Sequence, residues 1–349
     1  MRALIVGLGS IGRRHARNWA ALRLGPLAIC RQTNRTQPEG LGVDAAIYHD
    51  LEEALEREQP DIVIVTNPSR FHIDTANAAI GAGADVLIEK PLGDSTRGVA
   101  ELLNRADWLE RKLMVGYNLR FHPGLARLKQ LVQQNVIGRV VSSRAEVGEY
   151  LPDWHPWENY RQSYSGSRQL GGGAVLTFSH ELDALCWLLG PPKTITALTA
   201  HASSLEIDTE DVAEIGLEFE TGAIGWVHVD YVRRAPRRCI ELVGEAGILR
   251  WEYAEHRIVQ YAAANRQWRV EEGDPRFERN QMYLDELRHF AACVRGEVER
   301  PLIDGEQGAA ILALCLAALQ SADEGHAVNL QHAPDQVKQW LSTLGKPLK

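Results

Sequence analysis

The chain reads as an α/β protein of two domains, a doubly wound parallel sheet followed by an α+β domain with a mainly antiparallel sheet. Three observations predict this. The first third holds short apolar runs without alternation, separated by helical segments, as parallel strands covered on both faces require. The middle of the chain alternates apolar and polar residues in one strand after another, the pattern of an antiparallel sheet with one covered face. At 349 residues the chain is long enough for two hydrophobic cores.

The first element is a strand from Met1 to Val6, followed by Gly7-Leu8-Gly9-Ser10-Ile11-Gly12 and a helix from Arg13 to Leu22. Strand, G-x-G-x-x-G and helix in that order lay a dinucleotide pyrophosphate on a helix N-terminus. Gly7 then makes the tight turn, Gly9 lets the backbone approach the phosphates, and Gly12 packs the helix on the strand. Ser10 and Ile11 supply first-turn amides. A second strand, Leu27 to Cys30, leads into Arg31 and Arg35, with no Asp or Glu before Glu39. An NAD-preferring unit places an acid there for the ribose 2′-hydroxyl. Its absence, with Arg31 or Arg35 able to pair with a 2′-phosphate, favours NADP over NAD; simple solvation of these arginines is the alternative.

Further strands are expected over Asp61–Val65, Asp85–Ile88 and Leu113–Gly116, with helices over His72–Ala82 and Thr96–Lys112. They complete a first domain of residues 1–118. A helix from His122 to Gln134 opens the second domain, residues 119–349. Strands follow over Asp211–Glu220, Ala223–Tyr231, Arg238–Val243, Gly247–Tyr253 and Arg257–Tyr261. A helix over Ala174–Leu189 is the expected covering layer. Helices over Arg279–Val294, Asp304–Gln320 (capped by Asp304) and Pro334–Leu344 end the chain, free to pack back on the first domain.

Composition narrows the function. A net charge of −8 argues against a general nucleic-acid binder. Five cysteines far apart, without C-x-x-C, suit a reducing compartment. The opening strand leaves no signal peptide to expect. The longest apolar run, Ala309–Leu319, is too short to span a bilayer, so a cytoplasmic protein is expected. No metal site is expected: His180-Glu181 lacks the second His of H-E-x-x-H, and the other histidines form no ligand-spaced cluster. A long segment, Glu149–Leu170, carries Tyr150, Trp154, His155, Trp157, Tyr160, Arg161, Tyr164 and Arg168. Aromatic and Arg side chains together suit a sugar ring or an anionic small molecule, and equally a subunit-interface arm.

Four segments carry a resemblance beyond the glycine turn: Thr66-Asn67-Pro68 with His72, Glu89-Lys90-Pro91, Tyr117 to Pro123, and Gly171-Gly172-Gly173 followed by His180 and Asp183. Together they make the chain similar to the Gfo/Idh/MocA oxidoreductases over essentially its whole length. The long loop and Ser179 to Asp183 look closest to members from sugar-acid and surface-sugar pathways. The resemblance implies a Rossmann domain, a C-terminal domain with an open, largely antiparallel sheet, and oxidation or reduction of a sugar or cyclitol carbon with NAD(P). It also implies a homodimer or homotetramer and a Lys90–Pro91 bond that is often cis.

The chemistry agrees with that resemblance. Lys90 leaves a buried strand at the carboxyl edge of the sheet, where open α/β folds bind ligands. Hydride transfer at a carbinol carbon needs a proton carrier for the oxygen, and Lys90 is the first candidate. His180 is the second, as a ligand of the reacting hydroxyl; a core His bonded to Asp183, three residues on, is the alternative. Arg120 and Arg168 are the expected anchors for a carboxylate or phosphate. Tyr150, Trp154, Thr177 and Asp183 complete the substrate set. Thr66, Asn67, Pro68, His72 and Glu89 complete the cofactor set. The sequence departs from the family at Thr177, where many members carry Asp and place their His one residue later. Threonine cannot take a proton at neutral pH, which leaves the proton path open. Two rivals remain: an NAD(P)-binding sensor without turnover, and a cofactor-retaining enzyme acting on glycosidic bonds.

Overall fold

Six strands, most of them unbroken apolar runs, build one parallel sheet in the first of two units. The computed structural model describes residues 1–31, 41–156 and 158–345. Within these, the first unit comprises Met1–Asn118 and Arg279–Ala309. Its elements run β1 (Ala3–Val6), α1 (Ser10–Ala21), β2 (Leu27–Cys30), β3 (Ala46–Tyr48), α2 (Leu51–Glu58), β4 (Ile62–Val65), α3 (His72–Gly81), β5 (Asp85–Glu89), α4 (Val99–Trp108) and β6 (Leu113–Gly116). The strand order is β3-β2-β1-β4-β5-β6, all parallel. Every residue of β1, β2, β4, β5 and β6 is buried, which is why these strands lack alternation. Order reverses between β1 and β4, so the loops after those two strands flank the crevice where doubly wound sheets bind ligands.

The second unit comprises Leu119–Glu278 and residues from Ala310 on. It holds α5 (Pro123–Gln133), β7 (Val140–Gly148), α6 (Ala174–Thr177), α7 (His180–Leu189), β8 (Pro192–Ala200), β9 (Val212–Phe219), β10 (Ile224–Asp230), β11 (Arg237–Gly244), β12 (Gly247–Glu252), β13 (Arg257–Ala262) and β14 (Gln267–Glu272). The helix α8 (Asn280–Val294) belongs to the first unit, and α9 (Gly305–Glu324) starts there and continues into the second. The second unit ends with β15 (Val328–Asn329) and α10 (Asp335–Leu341). Its nine-stranded sheet has the order β14-β13-β12-β11-β7-β10-β9-β8-β15. All pairs are antiparallel except β7 with β10. Alternation in β9 buries Ala213, Ile215, Leu217 and Phe219. On the opposite face, Leu198 lies beside Glu214, Trp226 beside Gly216 and Ile224 beside Glu218.

Two expectations change. The single helix over Ala174–Leu189 is broken at Phe178–Ser179. Thr177 is bonded to Tyr231 and Phe178 packs among aromatic rings, so tertiary contacts interrupt the helix just before His180. Among its described residues, the expected loop Glu149–Leu170 contains four short 3₁₀ turns. Asp304 does cap α9, accepting from the Gln307 amide at 2.9 Å. No described helix is long and apolar enough to cross a membrane.

Candidate active site

The glycine turn joins β1 to α1 as its spacing requires. Gly7 has φ +100°, a conformation that favours glycine. A Cβ on Gly12 would lie 2.3 Å from the Gly7 carbonyl oxygen and 2.7 Å from Thr66 Oγ1. A Cβ on Gly9 would meet nothing within 4 Å. Gly9 therefore faces open space at a helix N-terminus with no acid in its first turn and no side-chain cap. Amides of Ser10 and Ile11 belong to that first turn, and the helix dipole favours an anion there. These features fit a dinucleotide pyrophosphate.

The β4 loop forms the other wall. Thr66 Oγ1 donates to the Val6 and Gly7 carbonyls at 3.0 and 2.8 Å, tying β4 to the glycine turn. Pro68 precedes a 3₁₀ turn, Ser69–Phe71. Asn67 Nδ2 donates to Thr75 Oγ1 at 2.8 Å, while its buried Oδ1 has no protein partner among the described residues. That acceptor also fits a cofactor group. Arg31 follows β2, its amide bonded to the Tyr48 carbonyl. Arg35 and Trp157 lie outside the described residues.

Lys90 follows β5, and the Lys90–Pro91 bond is cis. Its backbone amide donates to Glu89 Oε2 at 3.3 Å, and Glu89 Oε1 lies 2.7 Å from His15 Nε2. Glu89 thus ties the start of the Lys90 turn to α1. His72 was expected to line the cofactor side and does not. It is 1% exposed, with Nδ1 2.9 Å from the Pro91 carbonyl oxygen and Nε2 2.8 Å from that of Asn67. The ring staples the β4 loop to the β5 loop; burial pushes its pKa down. The sequence offered no signal for this role, because the partners are backbone carbonyls.

In the second unit a different set converges where β7 and β10 end and α6 meets α7. Tyr231, 0% exposed, donates its hydroxyl to Thr177 Oγ1 at 2.7 Å and lies 3.2 Å from the Ser165 carbonyl oxygen. Burial raises its pKa well above the usual phenol value. Trp154, Phe178 and Tyr231 form an aromatic cluster with centroids 5.4–5.5 Å apart. The Trp154 indole N–H is buried without a protein acceptor among the described residues. Arg234 stacks 3.4 Å over the Tyr150 ring. His180, the first residue of α7, is buried.

Two expected substrate residues are engaged elsewhere. Arg120 donates from Nε and Nη2 to the two carboxylate oxygens of Asp183, at 3.1 and 2.6 Å. Both side chains are buried. Arg120 is therefore not an open anchor, and Asp183 is the partner of Arg120. Burial pushes the Asp183 carboxyl up, and the guanidinium opposes this. Arg168 is exposed, its amide bonded to Asp208 Oδ1 and its Nε to the Asp208 carbonyl. Sequence reasoning missed Tyr231 and Arg234, since one reads as a strand end and the other as a loop charge.

Residues 1–117 match the NAD-binding Rossmann-fold profile of an oxidoreductase family, and residues 125–250 match a GFO/IDH/MocA C-terminal domain. The chain is 28% identical to myo-inositol 2-dehydrogenase of Thermotoga maritima, over 95% of this chain and 99% of that protein. It is 23% identical to D-glucoside 3-dehydrogenase of Escherichia coli, over 95% and 97%. The WlbA dehydrogenase from Bordetella pertussis, solved in complex with NADH and UDP-GlcNAcA, superposes with a TM-score of 0.79. Its identity is 26%, covering 95% of this chain and 98% of that one.

Proposed function

The chain belongs to the Gfo/Idh/MocA oxidoreductases, and from that premise we propose that it transfers a hydride between a nicotinamide and a carbinol or keto carbon of a sugar, sugar acid or nucleotide sugar. The observation that carries this reading is the pairing of an open glycine turn with Lys90, held at the carboxyl end of β5 by Glu89. The nicotinamide, when bound, supplies or accepts the hydride. Lys90 gives or takes the proton at the substrate oxygen. His180 binds the reacting hydroxyl and shares the acid–base work. Thr177 is committed to Tyr231, so the proton path runs without a carboxylate at that position.

A sugar-like substrate is supported by the relatives' names and by the cluster of Trp154, Phe178 and Tyr231. Sugar C–H faces stack on aromatic rings, and the partly exposed Trp154, backed by the buried Phe178 and Tyr231, offers such a ring and an N–H that suits a hydroxyl acceptor. Exposed Arg168 and Arg234 suit a carboxylate or phosphate. NADP is favoured over NAD by the acid-free stretch at Arg31. The open face around Trp226 is assigned to self-association. Cysteines that are all buried and outside disulfides among the described residues suit the cytoplasm.

The test follows nicotinamide absorbance with nucleotide sugars and sugar acids. Lys90→Met should abolish turnover while the dinucleotide still binds; full turnover in that variant overturns the proton assignment. Fluorescence titration should show NADPH binding tighter than NADH, and the reverse order overturns the cofactor preference.

A further inference from the structure

Next to the Lys90 turn, inside the first unit, three titratable side chains from distant stretches meet. His15 comes from α1, Glu89 from the end of β5 and Glu286 from α8. One polar atom of each lies within 4.8 Å of the others. His15 and Glu286 are fully buried and Glu89 nearly so. Glu89 has donors on both oxygens, His15 Nε2 at 2.7 Å and the Lys90 amide at 3.3 Å. Glu286 has no hydrogen-bond partner on either oxygen among the described residues.

This asymmetry assigns the charges. An ionised carboxylate removed from water without a donor is costly, and a second carboxylate beside it adds repulsion. Glu89 has the donors, so it holds the charge; although burial opposes this, the His15 hydrogen bond and the nearby Lys90 charge keep its carboxyl below the usual range. Glu286 has none; burial and the Glu89 charge push it far above the usual range. His15 faces Glu89 with Nε2, and its buried Nδ1 has no partner among the described residues. Lys90, His72, Tyr283 and Arg14, stacked 4.5 Å over the Tyr283 ring, are the other titratable groups nearby.

We propose that His15, Glu89 and Glu286 form one electrostatically coupled cluster in which Glu286 is kept as the neutral acid, and that Glu286 is thereby a positioning residue for Lys90. It acts through Glu89, whose Oε2 holds the Lys90 amide where β5 ends. An ionised Glu286 would compete with Glu89 for His15 and loosen that hold. The consequence for Lys90 rests on the proton-carrier reading above; the charge state of Glu286 does not.

Infrared spectroscopy at neutral pH should show a protonated-carboxyl C=O stretch in the wild type that is missing from Glu286→Gln. Glu286→Ala should lower kcat on the order of tenfold to a hundredfold, the range a small misplacement of a catalytic group costs. It should also shift the pH profile of kcat and leave KM for the dinucleotide near its wild-type value. Glu286→Gln, a neutral mimic of the same shape, should rescue both. Stability carries a definite sign. From about pH 4.5 upward the unfolded chain releases a proton that the folded state keeps, so the unfolded state binds fewer protons. Wild-type stability should therefore fall with rising pH relative to Glu286→Gln. The charge assignment is overturned if the band is absent from the wild type or survives in Glu286→Gln. A stoichiometric divalent metal in the purified protein, lost in Glu286→Gln, overturns it too. A band present with kcat and its pH profile unchanged in Glu286→Ala overturns the positioning role. Full turnover in Lys90→Met, with the band still present, overturns the earlier reading alone.

Discussion

Arg120 and Asp183 decide between two readings of one helix face. The spacing of His180 and Asp183 placed both on one side of a helix, and the obvious partner for Asp183 was His180. The carboxylate instead takes a bidentate guanidinium 63 residues away in sequence. A pair this buried contributes little net stability, because desolvation offsets its attraction, yet breaking it strands a buried charge. Asp183→Asn is therefore expected to cost about 3–5 kcal/mol in a urea unfolding curve. A loss under about 1 kcal/mol, the size found for exposed pairs, would show that the pair is not held dry. Glu286 follows the same logic. A carboxylate among Met282, Tyr283, Leu287 and Phe290 on the buried stripe of α8 is a legible anomaly, but its neighbours Glu89 and His15 are not.

Among elements, the glycine turn was fully legible, because each glycine answers to a local demand. Gly9 and Gly12 answer to different ones, and this separates folding from binding. Gly12→Ala would drive a Cβ into the Gly7 carbonyl and should lower stability by about 1–3 kcal/mol in a thermal melt. Gly9→Ala has room and should melt like the wild type. Its Cβ would occupy the phosphate approach, so dinucleotide affinity should fall at least about tenfold, or ~1.4 kcal/mol. Equal melting losses in both variants would contradict this division. The break between α6 and α7 was not legible, since nothing in Thr177-Phe178-Ser179 forbids a helix. It is imposed by Tyr231 and Trp154 from elsewhere in the unit.

At the scale of the whole molecule, composition and periodicity carried both sheets and their strand polarity. They did not carry the strands β3, β7, β8, β14 and β15, nor the parallel pairing of β7 with β10, because short or weakly alternating strands and pairing partners leave little mark on periodicity. The second sheet keeps Leu198, Ile224 and Trp226 exposed on one face. Gly216 adds to its flatness, since a Cβ there would meet the Trp226 ring at 3.3 Å. An apolar face of this kind is what a self-associating protein presents. Trp226→Lys is expected to shift the protein toward a smaller species in analytical ultracentrifugation, with its fold retained by circular dichroism. An unchanged sedimentation coefficient would remove this face from the assembly.

By itself the sequence determined five strands of the parallel sheet, five alternating strands of the second, the glycine turn and the lysine at the carboxyl edge, because each follows from local spacing, backbone freedom or periodicity. Tertiary structure alone decided which polar groups are engaged. It gave Arg120 to Asp183, Thr177 to Tyr231, His72 to two backbone carbonyls, and set Glu286 beside Glu89. The reason is physical. Burial makes most charged groups find a partner or surrender their charge, and those partners come from parts of the chain that only folding brings together.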